Sequence, residues 1–355
     1  MATWLVLLAG GRGVRFWPLG RRRRPKQLLS LLSAQSLLAE TWTRVAPLGR
    51  PERSLLVTAA DLAAACRREL PALPAARVLG EPEGRNTAAA VALAAQLALR
   101  EDPRAVLAVF PSDHLVTDAA GLRALARRAL RCARDEEAFV TLGIRPTRAE
   151  TGFGYLELAG PPQPGEPVRV AAFIEKPDAA RARSYLESGR HLWNSGIFFL
   201  PARRLAESFA ALAPEIWAPL AALPAADPAS PRFKRALRAA YAALPARSFD
   251  VAVMERAAGV QVIAADIGWS DVGGWAAMGE LLPTVDGNRA QGELVALDAR
   301  DNIVVDREGL TALLGVEGLV VVRSGGALLV ARRERLDALR ELVALVAART
   351  GGHHL

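Results

Sequence analysis

Three stretches of the chain combine residue types that could handle phosphate and a divalent cation. The first is Gly10-Gly-Arg-Gly-Val-Arg15, followed closely by Arg21-Arg-Arg-Arg-Pro-Lys-Gln27. Glycines lack a Cβ, so backbone N–H groups there can approach phosphate oxygens. Arg15 and the cations behind it suit a triphosphate better than a dinucleotide. Lys26, pinned by Pro25, is the strongest phosphate candidate, and Arg21 to Arg24 read as a solvated basic loop. The loop is neither a Walker sequence, which needs Gly-Lys-Ser/Thr, nor a G-x-G-x-x-G fingerprint. Alone it could equally be a tight turn. The second stretch, Phe110-Pro-Ser-Asp-His114, sets a carboxylate at the end of an apolar run. The third, Trp269-Ser-Asp-Val-Gly-Gly-Trp275, carries another. Magnesium prefers one or two carboxylates plus phosphate oxygens and water, so Asp113 and Asp271 form the expected metal pair. A turn or helix-capping role is the alternative for Asp113. His114 is expected to orient its neighbours, because no second His or Cys stands at ligand spacing.

These residues need elements to hold them. Trp4 to Ala9 is a short apolar run broken by glycine, the pattern of a buried parallel strand entering a loop. Similar runs occur at Ser54 to Thr58, Ala105 to Phe110 and Ala138 to Gly143. Helical patterns lie between them at Leu37 to Val45, Leu62 to Leu70, Thr87 to Arg100 and Leu122 to Arg134. The alternation predicts an α/β fold with a mainly parallel sheet, and ligands outside the carboxyl ends of its strands. A hairpin is expected over Gly154 to Ile174, a strand at Trp193 to Leu200, proline-broken helices over Leu205 to Leu244, and a strand at Val260 to Ala265. After Asp286-Gly-Asn288 short apolar segments separated by turns predict a small β unit. A helix over Glu334 to Ala348 closes it, with Gly351 to Leu355 as a frayed tail. The expected domains are 1–285 and 286–355.

Composition excludes several classes. With 51% hydrophobic and 23% charged residues among 355, the chain is an ordinary globular one. No run approaches the roughly 18 apolar residues of a membrane span, and Trp4 to Ala9 is too short for a signal peptide. A cytoplasmic protein without a membrane partner is expected. The net charge of +8 favours anionic ligands. Its arginines are scattered and lack the interleaved aromatics of a nucleic-acid groove, so no nucleic acid is expected. Cys66 and Cys132 read as reduced packing residues. Lysine is rare, three residues (Lys26, Lys176, Lys234) among 45 basic ones. A lysine in such a chain hints that a compact charge is wanted there.

Together, Leu8-Ala-Gly-Gly-Arg-Gly-Val-Arg-Phe-Trp-Pro-Leu19 and Pro25-Lys-Gln27 resemble the signature of the sugar-phosphate nucleotidyltransferases. The Trp-Pro-Leu version is most similar to the mannose-1-phosphate guanylyltransferases. Further motifs of that family follow in order: Glu81-Pro-Glu-Gly-Arg-Asn-Thr-Ala88, Phe110-Pro-Ser-Asp-His114, Thr151-Gly-Phe-Gly-Tyr155, Phe173-Ile-Glu-Lys-Pro177, Trp193-Asn-Ser-Gly-Ile197, Ser248-Phe-Asp-Val-Ala-Val-Met-Glu255 and Trp269 to Trp275. Phe16, Gly20 and Ala89 depart from the usual pattern and read as packing or loop variation. The chain ends without the cupin-like isomerase domain of bifunctional relatives, so no isomerase activity is expected.

The resemblance implies a Rossmann-like (GT-A-like) nucleotidyltransferase domain with a mixed, mainly parallel sheet. It also implies a C-terminal unit like a left-handed β-helix, often a dimerisation element, and hence a homodimer. The implied reaction joins GTP and mannose 1-phosphate with Mg²⁺, giving GDP-mannose and pyrophosphate. The sugar phosphate is already anionic, so no general base is needed; neutralising charge at the α-phosphate is the task. Arg15, Lys26, Asp113 and Asp271 are the implied catalytic set. Leu8, Gly10, Gly11, Gly13, Glu81, Arg85, Asn86 and Ser112 would hold the nucleotide, Arg85 by pairing and Asn86 by capping a helix. Gly154, Glu175, Lys176 and Asn194 would hold the sugar phosphate. Trp193, Trp269 and Trp275 read as core or wall residues. The competing readings are glucose 1-phosphate with UTP or dTTP, a non-catalytic sugar-nucleotide sensor, and an NAD oxidoreductase. The last lacks the acidic residue expected on the second strand.

Overall fold

The computed structural model describes residues 2–355. Two compact units are each assembled from separated segments. The first takes the chain through Gly10, then Leu38–Ser112 and Val116–Trp269; the second takes Gly11–Leu37, Asp113–Leu115 and Ser270–Leu355. The contacts thus divide the chain elsewhere than between 285 and 286. The reason is apolar: Phe16, Trp17, Leu29 and Leu31 share one buried cluster with Trp275, Ile303, Val320 and Val343.

The first unit is a nine-stranded sheet. Its strands are β1 (Thr3–Ala9), β2 (Ser54–Ala59), β3 (Val78–Glu81), β4 (Val106–Pro111), β5 (Phe139–Ile144), β6 (Tyr155–Leu158), β7 (Pro167–Ile174), β8 (His191–Pro201) and β9 (Val260–Ala265). They lie in the order β3-β2-β1-β4-β8-β5-β9-β7-β6. Strands β3, β2, β1 and β4 are mutually parallel, as are β5 and β9. Strand β8 runs antiparallel to both β4 and β5, making the sheet mixed. Trp4 to Leu7 and Leu55 to Val57 are almost wholly buried, as parallel strands covered on both faces require. The long helix Asn86–Glu101 covers part of the sheet with small side chains, Ala88 to Ala98 all being buried. Gly143 stands opposite Asn194 in the β5–β8 pair, where a Cβ would come within 2.7 Å of Leu192 and Val262 side chains. The hairpin β6–β7 is antiparallel, as its alternation predicts. Leu8, Ser112 and Glu81 stand at the carboxyl ends of β1, β4 and β3, the edge where such sheets bind ligands.

The second unit contains β10 (Asn288–Leu297), β11 (Ile303–Leu314), β12 (Leu319–Ser324) and β13 (Ala327–Arg332). Consecutive strands β10, β11 and β12 pair in parallel, although only residues 298–302 and 315–318 link them. Links that short cannot house a crossover helix, so the chain must coil, which is the geometry of a β-helix. Asn288 and Asn302 stack inside the coil, with Asn302 Nδ2 donating to Asn288 Oδ1 at 2.8 Å. The terminal helix is α1 (Leu339–Thr350), preceded by a 3-10 segment, Arg333–Ala338. The tail is docked, contrary to the frayed end expected. Trp17 Nε1 donates to the His354 carbonyl at 2.9 Å, and Leu355 packs on the same apolar cluster as Trp17. Among the described residues no helix is long and apolar enough to cross a membrane.

Candidate functional site

The second unit builds a polar cavity of about 290 Å³ around the glycine loop. Pro25 starts a tight 3-10 turn, Lys26–Leu28, that presents the lysine. Lys26 Nζ donates to Asp113 Oδ2 at 3.0 Å and to the main-chain oxygen of Asp271. Burial alone would raise the Asp113 carboxyl, but Lys26 and then His114 outweigh it and hold it below the usual carboxylate value. His114 Nε2 lies 3.8 Å from Asp113 Oδ1, an orienting distance rather than a metal-ligand set. A Cβ at Gly273 would sit 3.0 Å from Asp271 Oδ2, so glycine leaves that carboxylate its place. Arg15 lines the cavity and donates to the Gly273 carbonyl at 3.4 Å. Gly11 and Gly13 have nothing within 4 Å of a would-be Cβ, so their backbone stands open to a ligand. The buried Gln27 steadies the loop by donating to Gly11 O at 3.1 Å.

The donor set suits a hard divalent cation that takes oxygen ligands. Among the described residues there is no group of three or more His, Cys, Asp or Glu that could hold an ion. Asp113 and Asp271 line the same cavity. Two carboxylates completed by phosphate oxygens and water are what magnesium accepts, whereas a structural zinc site needs four protein ligands. Sequence reasoning missed Arg340, which lines this cavity from the first turn of α1. Nothing local marked it, because it is one of many arginines and lies 314 positions after Lys26.

The expected nucleotide residues fall into two groups. In the first unit Ser112 is buried, and its N–H and Oγ both donate to Leu8 O, at 3.0 and 2.7 Å. Ser112 thus braces the end of β1. Glu81 is buried and accepts from the Tyr241 hydroxyl at 3.1 Å. Burial pushes its carboxyl up to about 7, the Tyr241 bond opposing. Its other oxygen lies 3.3 Å from where a Gly10 Cβ would stand, so only glycine leaves that edge clear. Arg85 directs its donors to Tyr241 O, Ala242 O and Glu83 Oε2. Asn86 does not cap the long helix as expected. It sits at φ 63° with its own side chain turned to the Thr87 N–H, and Arg85 occupies the capping position. The remaining pair, Gly11 and Gly13, belong to the cavity described above.

The four sugar-phosphate candidates meet in the first unit. Asn194 N donates to Gly154 O at 2.8 Å, and a Cβ on Gly154 would come within 2.7 Å of Glu175 Oε2. Lys176 Nζ lies 3.3 Å from Glu175 Oε1 and its side chain is 64% exposed. Gly196 N donates to Asn194 Oδ1 at 3.2 Å, with the Thr141 hydroxyl, whose nearer acceptor is Ile197 O at 2.9 Å, also in reach, while Asn194 Nδ2 donates to Asp250 Oδ1 at 2.9 Å. These partners fix which way the amide faces. Two carboxylates join the set without a role assigned from sequence. Burial and then Glu175 push Asp250 up to about 6, and Glu255 Oε1 accepts from Glu175 N at 3.2 Å. The available signal was an acid at each end of the apolar stretch Val251 to Met254. Trp193 and Trp269 meet Phe153 edge-on, as wall residues do, and Trp275 is buried against Phe16. Cys66 and Cys132 are free and buried, with the Cys132 thiol pushed up to about 12 by burial and Glu136.

Known proteins are similar to this chain along most of its length. The Nucleotidyl transferase family model matches residues 5–286, and the model for the MannoseP isomerase/GMP-like beta-helix domain matches residues 292–345. A mannose-1-phosphate guanylyltransferase of Escherichia coli is 38% identical over 335 residues, covering 93% of this chain and 70% of its own. The xanthan biosynthesis protein XanB of Xanthomonas campestris is 37% identical with the same coverage. A crystal structure from Thermus thermophilus, described as a mannose-1-phosphate geranyltransferase, superposes with a TM-score of 0.87. It is 38% identical and covers 98% of this chain and 99% of its own. The chain belongs to the nucleotidyl transferase family, with a second segment of the ManC-type β-helix domain.

Proposed function

We propose that the chain transfers GMP from GTP to α-D-mannose 1-phosphate, giving GDP-mannose and pyrophosphate. The cavity in which Lys26 joins Asp113 to the Asp271 main chain carries this reading. It is supported by relatives above 35% identity named for that activity. Nucleotidyltransferases of this family generally use a divalent metal ion; we propose magnesium, held by Asp113 and Asp271. When bound, it supplies positive charge to the phosphate oxygens. A sugar-phosphate oxygen forms a bond to the α-phosphorus, the α–β bridging bond breaks, and pyrophosphate leaves with the electron pair. Lys26, Arg15 and Arg340 oppose the charge that gathers on the phosphates, and Gly11 and Gly13 offer backbone N–H groups. Glu81, ionised, accepts from the guanine N1–H and N2–H groups beside Gly10, and Arg85 and Asn86 shape that loop. Leu8 and Ser112 set the end of the strand beneath the base. Glu175 and Asn194 hold sugar hydroxyls, Gly154 makes room for them, and Lys176 meets the sugar phosphate.

Pyrophosphate release measured for GTP, UTP, dTTP and ATP, each with mannose and glucose 1-phosphates, tests this. GTP with mannose 1-phosphate should lead by tenfold or more; preference for UTP or dTTP with glucose 1-phosphate would replace the assignment.

Three coarser expectations enter as proposals too. The ranges of the two family models favour a functional boundary near residue 286. A homodimer is favoured by Val295, Leu297, Leu310 and Leu314, large apolar side chains exposed on paired strands β10 and β11. Leu297→Glu with Leu314→Glu should turn a dimer into a monomer in light scattering; a dimer that persists would exclude this face. A cytoplasmic location accords with two unpaired thiols.

A further inference from the structure

Tyr241 is fully buried in the first unit, in the last turn of the helix Pro231–Ala243. Its ring belongs to the main apolar cluster, where a phenylalanine would pack as well. The hydroxyl is therefore the informative part, and it donates to Glu81 Oε1 at 3.1 Å. Glu81 Oε2 lies on the Gly10 side, 3.3 Å from where a Cβ would stand there. The same tyrosine holds the loop after β3 by its main chain. Arg85 Nε donates to Tyr241 O at 2.9 Å and Arg85 Nη2 to Ala242 O at 3.2 Å, carbonyls at a helix end. One residue thus grips both Glu81 and Arg85, the former from 160 positions away.

An ionised carboxyl only accepts hydrogen bonds, whereas a protonated one carries a donor. Guanine presents N–H donors at N1 and N2, and adenine presents an acceptor at N1. The protonation state of Glu81 therefore decides which base edge it fits. Burial favours its neutral form and the Tyr241 bond favours the ion. The phenol itself is held protonated, because burial and Glu81 push its ionisation well above the ordinary value. Other charges nearby have other engagements. Glu83 and Arg85 pair at 2.7 Å, Asp61 on the turn after β2 is exposed, and so are Arg235 and Arg238 of the helix.

We propose that Tyr241 is a positioning residue for base selection: its hydroxyl keeps Glu81 an acceptor and leaves the second oxygen turned to the base beside Gly10. The proposal rests on the reading that Glu81 meets the guanine edge, and adds the group that makes Glu81 selective.

The test compares kcat/KM for GTP and for ATP at saturating mannose 1-phosphate, across about pH 6 to 9. The triphosphate titrates alike in both nucleotides, so the GTP/ATP ratio reports the base contact. In the parent this ratio should rise with pH through a midpoint near 7. Tyr241→Phe should move the midpoint up by about one pH unit, the scale of one hydrogen bond to a charged group. The ratio should then be severalfold lower than the parent's at neutral pH and regain the parent's value at the alkaline end. The KM for mannose 1-phosphate should stay that of the parent. Glu81→Gln should lower the ratio and abolish its pH dependence. A ratio lowered equally at every pH in Tyr241→Phe would make the hydroxyl merely structural and overturn the proposal. So would an unmoved midpoint in Tyr241→Phe beside a flat profile in Glu81→Gln, which would leave the Glu81 reading standing. A parental ratio and profile in Glu81→Gln would remove the Glu81 reading and the proposal with it.

Discussion

Lys26 Nζ lies 3.0 Å from Asp113 Oδ2 while also donating to the main-chain oxygen of Asp271, so one cation ties together residues 87 and 245 positions away. The carboxylate most suited to a metal is therefore already half neutralised. At the proposed metal carboxylate a bare cation would have to compete with the ammonium, whereas one arriving on a triphosphate would bring anionic oxygens that Lys26 could take instead. Side chains that are 15% and 35% exposed make this exchange accessible to a ligand from solvent.

Asp113→Asn and Asp271→Asn keep the shape of each side chain and remove its charge. Each should lower turnover by roughly a hundredfold or more, on the scale of losing a preorganised electrostatic contact. Circular dichroism should stay that of the parent. Near-normal rates in both variants would refute the metal assignment.

The amide of Asn194 is oriented by Thr141, Gly196 and Asp250. Asn194→Ala should raise the KM for mannose 1-phosphate by about 10- to 100-fold, the scale of one or two lost buried hydrogen bonds. Thr141→Val should do so by less, since its one hydroxyl proton is shared with the nearer Ile197 O and Gly196 N still donates to Asn194. The KM for GTP should hardly move. Equal rises in both constants would reduce Asn194 to a folding role.

Glu81 titrates near 7 in the folded chain against an ordinary value of 4.5. Between these values the folded chain keeps a proton that the unfolded chain has released. Unfolding free energy therefore falls as pH rises from about 5 to 7, at up to about 1.4 kcal/mol per pH unit. Asp250, raised to about 6, contributes with the same sign over a lower window. Denaturant midpoints taken across pH 5–8 should fall less steeply in Glu81→Gln; an unchanged slope would remove Glu81 as the source.

Gly292 occupies a bulge between Gln291 and Glu293 at φ 121°, where a Cβ would stand 1.7 Å from Asp306 O. Gly292→Ala must displace the main chain of the neighbouring coil. A loss of about 2–3 kcal/mol is expected, measured by urea unfolding. An unaltered midpoint would show that the bulge relaxes without strain.

Local chemistry was legible where neighbours in sequence are neighbours in space. The strand before Gly10, the hairpin after Gly154 and the Asp113 turn follow from alternation, glycine and proline, and appear within a few residues of the expected bounds. Among the carboxylates gathered around Asn194 and Gly154, the motif marked Glu175 but not Asp250, whose place beside Asn194 depends on the fold. Arg340 was illegible for the same reason, and the arginine-rich composition hid it further. The tail looked frayed because Gly351-Gly352 signals freedom; its partner, Trp17, is 337 residues away from His354. The division of the chain into its two units could not be read ahead either, since Phe16 and Trp17 join a cluster completed more than 250 residues later.

The rarity of lysine has a practical side. An amine-acylating reagent finds only Lys26, Lys176 and Lys234 besides the chain's amino terminus. Lys234 is exposed on a helix and Lys176 is largely open, while Lys26 is held between two oxygens. The three amines should acylate at well-separated rates. Peptide mapping of a single labelling reaction would then read a surface reference and the lysines proposed for the sugar phosphate and the triphosphate side by side, with no engineered label.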